Sequence, residues 1–177
     1  KLLIFFLFVS VLPSISSAEI GPYCNNKINE SVLKNLDNIK IKNINIKIDK
    51  YRRWTKNSLN ILIGNFRWIS QKYKKRFDAK VRVDFENGLT CNFKARIRHN
   101  GDQKDHISLK ENSIIQSIDV HLKNGHIYGI TQFKLLLPKT RGNFGDEILL
   151  TELLREFNYL SPRTAYIDAT INEVKSK

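Results

Sequence analysis

The 177-residue chain lacks several features on which common classes of small protein depend. It has two cysteines, which are too few for a framework of several disulfides, and nothing in the sequence resembles a zinc or redox motif. It has no methionine, even at position 1, so we expect these residues to begin inside a longer reading frame. After residues 2–12, no apolar run approaches the roughly 20 residues of a membrane-spanning helix. The length suits one domain with a hydrophobic core.

The N-terminus has the pattern of a secretory signal peptide, which we assign to residues 1–18. A lysine precedes the apolar run over 2–12, and a proline and several small residues follow it. Ser16 and Ala18 fit the −3 and −1 positions of a cleavage site before Glu19. An uncleaved N-terminal anchor is the alternative, although the run is short for a membrane span. We therefore expect an exported protein (periplasmic, envelope-associated or extracellular) with no stable membrane span after cleavage.

Export makes Cys24 and Cys91 a candidate disulfide, because exported proteins fold in oxidising compartments. A loop of this length, once closed, stabilises the fold by about 4 kcal/mol in the chain-entropy model. A buried free thiol at Cys91 is the alternative.

Acidic residues are scarce, since 30 lysines and arginines face 17 aspartates and glutamates. The formal charge of +13 attracts phosphates, anionic lipids or acidic glycans. Heavy use of lysine, asparagine and isoleucine is also typical of AT-rich genomes, which offers a compositional explanation for the overall charge. Composition does not explain why the arginines cluster.

The clearest structural signal is a β-hairpin centred on Asn87-Gly88. Apolar and polar side chains alternate with period two on both sides of this turn pair. A two-residue loop would place Phe85 opposite Thr90, an apolar side chain beside a polar one. A three-residue loop pairs Phe85 with Leu89 and puts Gly88 at the left-handed bulge position. We therefore predict the three-residue loop, followed by the pairs Val83–Cys91, Val81–Phe93 and Ala79–Ala95.

The outward positions of this hairpin are mostly basic, which gives a rigid ribbon with one cationic face. These positions are Lys80, Arg82, Lys94, Arg96 and Arg98, set against Asp78 and Asp84.

Alternation and helical spacing predict the neighbouring elements. The isoleucines of residues 39–49 alternate with polar residues but slip phase at Asn43-Ile44, which indicates a bulged or edge strand. Residues 51–63 have the spacing of an amphipathic helix, with Arg52, Arg53 and Lys56 toward its polar side. Residues 115–122 alternate as a strand, and 133–137 are apolar on both faces, which predicts a central strand ended by a proline.

A second helix is predicted over residues 146–157. Asp146 suits its N-cap, and the predicted buried stripe is Leu150, Leu153, Leu154 and Phe157. The glycine-bearing loop before it could cradle phosphate. Because Asp146 and Glu147 would repel an anion there, we predict that the loop only starts the helix. The resulting fold class is α+β, a mostly antiparallel sheet of about five strands with two or three packed helices.

The polar segment 99–106 holds two histidines and two aspartates. Their spacing matches no known ligand pattern, so we predict no metal site.

From Lys94 onward, the order of the elements is similar to a known family. A strand ends in Arg96-Ile97-Arg98 and is followed by the strands QSIDVHL and FKLLLP. The helical segment GDEILLTELLREFNYLSPRT and the strand AYIDATINEV complete the set. This order resembles the spore-coat protein H (CotH) kinase family of secreted atypical protein kinases, in the exported branch seen in marine bacteria. The chain differs from the family at His99-Asn100 and Glu173, where the family has glycine, and at Gln116, where it often has lysine.

The resemblance implies the N-terminal, kinase-like lobe of a secreted kinase that uses ATP and a divalent metal, magnesium or manganese, to phosphorylate a protein substrate in the envelope. It divides the chain into a signal peptide (1–18), an N-terminal extension with an edge strand (19–50) and an incomplete kinase-like domain (51–177). The family's catalytic aspartate and metal-binding carboxylates lie downstream, so the resemblance implies an inactive fragment with no catalytic residue of its own.

Within this resemblance, Arg96 and Arg98 are the expected contacts to nucleotide phosphate, because a guanidinium fork fits phosphate geometry. The alternative is that both arginines solvate the hairpin or pair with Asp78 and Asp84.

A non-catalytic envelope module is the second hypothesis. It would bind an acidic glycan, a lipid headgroup or a nucleic acid through clustered cations, with aromatic residues nearby. Export argues against nucleic acid. The cations are Arg52, Arg53, Lys72, Lys74, Lys75 and Arg76, and the aromatic residues are Tyr51, Trp54 and Tyr73.

Overall fold

The computed structural model describes Cys24 and residues 40–111, 113–141 and 145–176. The expected signal peptide lies outside these residues. The described parts form nine β-strands and two α-helices, in the order β1 (Ile41–Ile48), α1 (Tyr51–Ile63), β2 (Phe77–Phe85), β3 (Thr90–His99), β4 (Ile107–Lys110), β5 (Ser113–Gln116), β6 (Ile118–Leu122), β7 (Gln132–Leu135), α2 (Asp146–Glu156), β8 (Asp168–Ile171) and β9 (Val174–Ser176).

Seven strands form one sheet in the order β7-β6-β3-β2-β1-β8-β9, and β4 and β5 form a separate hairpin. Neighbours in the large sheet pair antiparallel, except β1 and β8, which are parallel. The predicted α+β class is confirmed, with more strands than the five expected.

The hairpin of β2 and β3 has the predicted three-residue loop. The amide of Phe85 donates to the carbonyl of Leu89 at 2.9 Å, and Gly88 has a φ of 84°. The register then pairs Val83 with Cys91 and continues through Val81–Phe93 and Ala79–Ala95. All the apolar side chains of these pairs are buried. The alternation along both strands therefore does fix the register, because a slip by one residue would expose every one of them.

β1 is bulged, as its pattern predicted, but it does not lie at an edge. The pairing with β2 shifts register between Ile41 and Asn43. On its other side, β1 pairs in parallel with β8, which begins at Asp168. β1 is therefore an interior strand rather than the edge strand expected for residues 19–50.

The sequence prediction is also wrong about the strand over 133–137. The strand is Gln132–Leu135, and it lies at the end of the sheet order, beside β6 alone. Phe133 and Leu135 are half-buried because they line an apolar cavity of about 310 Å³, which β8 lines as well through Ala169. Since β7 and β8 lie far apart in the strand order, the sheet must curl to bring them to one cavity.

The alternating stretch 115–122 is two strands rather than one. It breaks at Ser117, whose amide donates to the carbonyl of His106 and whose carbonyl accepts from the amide of Asn100. The first part pairs with β4, and the second joins the large sheet between β3 and β7.

α2 differs from its prediction in its N-cap and in its buried side. Its N-cap is Gly145, with a φ of 99°, and Asp146 is its first residue. Leu150, Leu153 and Phe157, predicted to be buried, are exposed, and Leu154 is half-buried. The buried residue is Thr151. Its hydroxyl forms a hydrogen bond with the hydroxyl of Thr164, and its backbone carbonyl accepts a hydrogen bond from the hydroxyl of Ser161. The helix thus packs through a polar side against the segment that follows it.

The core lies on the inner side of the curled sheet. Cys24 and Cys91 form a disulfide there, with Cα atoms 6.0 Å apart, and both are buried. α1 contributes Trp54, whose ring meets that of Phe77 edge-on at 5.2 Å. Within the described residues, no helix has the length and apolar character that crossing a membrane requires.

Candidate anion-binding site

The side of the large sheet that faces away from the core, here called the outer face, is strongly polar. Along β1, β2 and β3 it carries Asn43, Asn45, Lys47, Asp78, Lys80, Arg82, Asp84, Thr90, Asn92, Lys94, Arg96 and Arg98. The cations predicted for the hairpin therefore do lie together on one surface.

Arg96 and Arg98, the predicted phosphate contacts, each face a carboxylate. Arg96 Nε lies 3.6 Å from Asp78 Oδ1, and both side chains are more than half exposed. Arg98 Nε donates to Asp119 Oδ2 at 2.7 Å, and Asp119 is fully buried. Gln132 Nε2 also donates to this carboxylate, at 3.0 Å, and Arg76 Nη2 lies 3.6 Å from it. Arg98 is therefore a structural partner of a buried charge, and Arg96 is in a surface pair.

The residues around these two arginines do not match a site for the ATP and divalent metal that the resemblance implies. Both guanidinium groups already pair with carboxylates. Over the described part of the chain, no three histidine, cysteine, aspartate or glutamate side chains are placed to hold a metal ion. The nucleotide stays a prediction from the resemblance.

A basic cleft of about 430 Å³ opens where β1 ends and β2 begins. Its walls are α1 on one side and the chain entering β2 on the other. It is lined by Asp49, Lys50, Arg53, Lys56, Asn57, Asn60, Lys75, Arg76, Phe77 and Asp78.

The side chains that form the α1 wall of the cleft share one side of the helix because of their spacing. Arg53, Lys56, Asn57 and Asn60 are separated by three and four residues, so they share one side of α1. A different side of the helix buries Trp54, Ser58 and Ile61.

Three contacts hold the two walls together. The amide of Asp49 donates to the carbonyl of Asp78 at 3.1 Å, which joins the end of β1 to the start of β2. Asn57 Nδ2 donates to the carbonyl of Tyr73 at 2.7 Å. The ring of Trp54, on α1, meets edge-on the ring of Phe77, which lines the cleft. The lining side chains therefore stand on elements fixed by the core.

The cleft is electropositive because five of its side chains are cationic and two are carboxylates, a formal charge of +3. Among the described residues, Arg76 is the only one of the five that has a carboxylate within ion-pair distance, the buried Asp119. The hydrogen bond and charge of Lys123, aided by the charge of Arg96, hold the pKa of Asp78 below its ordinary value. Asp78 is thus ionised and already paired outside the cleft.

The structure brings together three of the six cations predicted for a binding module: Arg53, Lys75 and Arg76. Arg52 is exposed but lies outside the cleft. Lys74 pairs with Asp102. Lys72 lies 5.0 Å from the ring of Tyr73.

Lys50 and Lys56 complete the cleft but were not in the predicted set. Helical spacing places Lys56 on the same side as Arg53, which could have added it to the binding set. Of the predicted aromatic residues, Trp54 is buried, Tyr73 stacks on Phe66 at 5.4 Å, and Tyr51 is exposed. None of the three lines the cleft.

Both histidines of segment 99–106 form hydrogen-bond contacts with polar side chains that belong to the fold. His99 is buried, and its Nδ1 lies 3.2 Å from Gln116 Oε1. His106 Nδ1 lies 3.1 Å from the hydroxyl of Ser117. These contacts link β3 and the turn before β4 to the end of β5 and to the break at Ser117.

Comparison with known proteins gives no relative: no family model, no curated protein and no solved structure matches the chain.

Proposed function

We propose that this chain is a non-catalytic, exported module that binds an acidic ligand of the cell envelope in its basic cleft. The observation that carries the proposal is the convergence of five cations on one fixed cleft, four of which have no carboxylate partner among the described residues. Unpaired like charges held close together repel one another, and an anion that neutralises them binds favourably.

The lining side chains suit binding rather than chemistry. Ammonium, guanidinium and amide groups donate hydrogen bonds to oxyanions, and guanidinium can do so with two bonds at once. The two carboxylates of the cleft, Asp49 and Asp78, reduce its positive charge but leave a formal charge of +3. Envelope localisation rests on the expected signal peptide.

The kinase function implied by the resemblance stays a prediction, and one experiment separates it from the binding module. We would measure the affinity of the protein for a fluorescent sulfated oligosaccharide, and its melting temperature with ATP and magnesium. If the proposal is right, the protein binds the oligosaccharide. ATP with magnesium then raises the melting temperature no more than another small anion of equal charge does.

Two variants locate the site. Arg53→Gln/Lys56→Gln removes two cations that line the cleft, and we expect at least a tenfold loss of affinity, since two charge-assisted contacts of about 1 kcal/mol each are lost. Arg52→Gln/Lys139→Gln removes the same charge from exposed positions outside it and should retain most of the affinity. Equal losses in the two variants, or a rise in melting temperature that only ATP with metal produces, would overturn the proposal.

A further inference from the structure

A row of lysines crosses the outer face in register. Lys47 of β1 lies directly opposite Lys80 of β2, and Lys80 lies directly opposite Lys94 of β3. The amide of Lys123, just after β6, donates to the carbonyl of Lys94 at 2.7 Å and extends the row by one position. Neighbouring strands are about 4.8 Å apart, so the row is a line of cations at nearly regular intervals.

This arrangement is unfavourable for the sheet itself. Like charges directly opposite one another on neighbouring strands destabilise the pairing. Lys47, Lys80 and Lys94 are exposed, and no ion pair among the described residues includes any of them. Two carboxylates of the outer face pair with other cations. Asp78 pairs with Lys123 and Arg96, and Asp84 pairs with Arg82.

The row continues the basic cleft. Asp78 lines the cleft and precedes Lys80 by two residues on the same face of β2, a distance of about 7 Å. The carboxylate of Asp78 lies 2.6 Å from Lys123 Nζ and 3.6 Å from Arg96 Nε. Asp78 therefore stands where the cleft and the row meet, and it neutralises two cations that a ligand could otherwise contact.

We infer that the ligand is a linear acidic polysaccharide that lies along the lysine row and ends in the cleft. The inference rests on the proposed function of the cleft and adds the class and extent of the ligand. Regular spacing of cations fits a chain with repeated sulfate or carboxylate groups better than one small anion.

The neighbouring side chains favour a glycan over the other polyanions. The next positions along the strands, Asn45, Arg82 and Asn92, are in register and polar, which suits hydroxyl-rich sugars. β1, β2 and β3 present no aromatic side chain on the outer face for stacking of nucleic-acid bases. They also present no apolar side chain there that could enter a membrane.

The test compares a short with a long sulfated oligosaccharide, using the row variant Lys47→Gln/Lys80→Gln/Lys94→Gln. We expect wild type to bind the long oligosaccharide at least tenfold more tightly than the short one. The row variant should lose that preference, and the slope of its log affinity against log salt should fall by about two. A control with the same charge change, Lys40→Gln/Lys139→Gln/Arg163→Gln, should keep the preference.

A gain of affinity provides a second readout that misfolding cannot produce. Asp78→Asn removes the carboxylate that neutralises Lys123 and Arg96, and we expect several-fold tighter binding of the long oligosaccharide.

The outcomes separate the inference from the proposed function. If the row variant behaves as its control while Arg53→Gln/Lys56→Gln loses binding, the ligand does not lie along the lysine row. The proposal that the cleft binds an acidic ligand is then retained. If wild type binds neither oligosaccharide, nor single-stranded DNA, nor anionic lipid vesicles, both the inference and the proposed function are wrong. Tighter binding to single-stranded DNA or to anionic lipid vesicles than to the long oligosaccharide would overturn the glycan assignment.

Discussion

The contacts of His99 determine which of its ring nitrogens carries the proton. Gln116 Nε2 donates to the hydroxyl of Ser58 at 2.7 Å, so the amide oxygen of Gln116 faces His99. Neutral His99 must therefore donate from Nδ1, and its Nε2 is a buried acceptor with no hydrogen-bond partner in the described structure. Protonation at Nε2 would bury an N–H group without an acceptor, which is unfavourable.

Stability should consequently depend on His99 in mildly acidic solution. Burial is the main cause that lowers the pKa of His99 to about 4, and the charges of His106 and Lys74 lower it further. The hydrogen bond to Gln116 and the charge of Asp102 act in the opposite direction. Because the unfolded state takes up the proton first, at a pKa near 6.5, the free energy of unfolding should fall as the pH drops from about 6.5 to about 4, by roughly 3 kcal/mol in all.

Urea unfolding across this pH range measures the effect. His99→Gln should reduce the pH dependence, although burial also lowers the pKa of His106, which adds in the same direction. A wild-type stability that is constant between these pH values would contradict this assignment.

The two arginines of the predicted phosphate site should differ in their importance for stability. Arg98→Ala leaves the buried carboxylate of Asp119 with Gln132 and the more distant Arg76, and we expect a loss of about 2 kcal/mol. Arg96→Ala removes an exposed pair and should change stability by less than about 1 kcal/mol. Chemical denaturation of both variants checks this, and equal losses would be inconsistent with the assigned pairs.

Alternation indicated that Asp119 would face solvent, since it lies between Ile118 and Val120. It does lie on the outer face, but it is completely buried. The groups that cover it, Arg76, Arg98 and Gln132, come from three separate parts of the chain. A local pattern gives the face of a strand but not what covers that face.

At the scale of elements, the hairpin could be predicted because its determinants are local. Its register depends on alternation along two strands and on the residues of one turn. The positions of β1 and β7 in the sheet could not be predicted in this way. Whether β1 is an edge strand depends on β8, which begins more than a hundred residues later.

Gly88 offers a clean test of the turn. A Cβ at this position would meet no atom within 4 Å, so substitution changes only the backbone energy at a φ of 84°. We expect Gly88→Ala to cost about 1 kcal/mol and Gly88→Asn to cost less, because asparagine tolerates the left-handed region better. Thermal unfolding of both variants gives the comparison, and an unaffected Gly88→Ala protein would exclude the three-residue loop.

At the scale of the whole molecule, the disulfide joins the segment before the sheet to its centre. It closes a loop with a sequence separation of 67 residues. In the chain-entropy model, such a loop stabilises the folded state by about 4 kcal/mol. Cys24→Ala/Cys91→Ala should lose about this amount and become insensitive to reductant. A wild-type protein whose melting temperature does not fall in reductant would argue against the bond.

The basic cleft is also a property of the whole molecule. It is built from the end of β1, one side of α1 and the chain that enters β2. The sequence showed the cations as two separate clusters. It did not show which of them share a surface, because that depends on how α1 packs through Trp54 and Ser58.

The most direct test of the central claim is the salt dependence of sulfated oligosaccharide binding. Affinity should fall steeply as salt rises in wild type and in Arg52→Gln/Lys139→Gln. In Arg53→Gln/Lys56→Gln, the slope of log affinity against log salt should be smaller by about 1.5, since two ionic contacts are absent. If the slope is the same in all three proteins, the cleft does not bind the ligand and the proposed function is wrong.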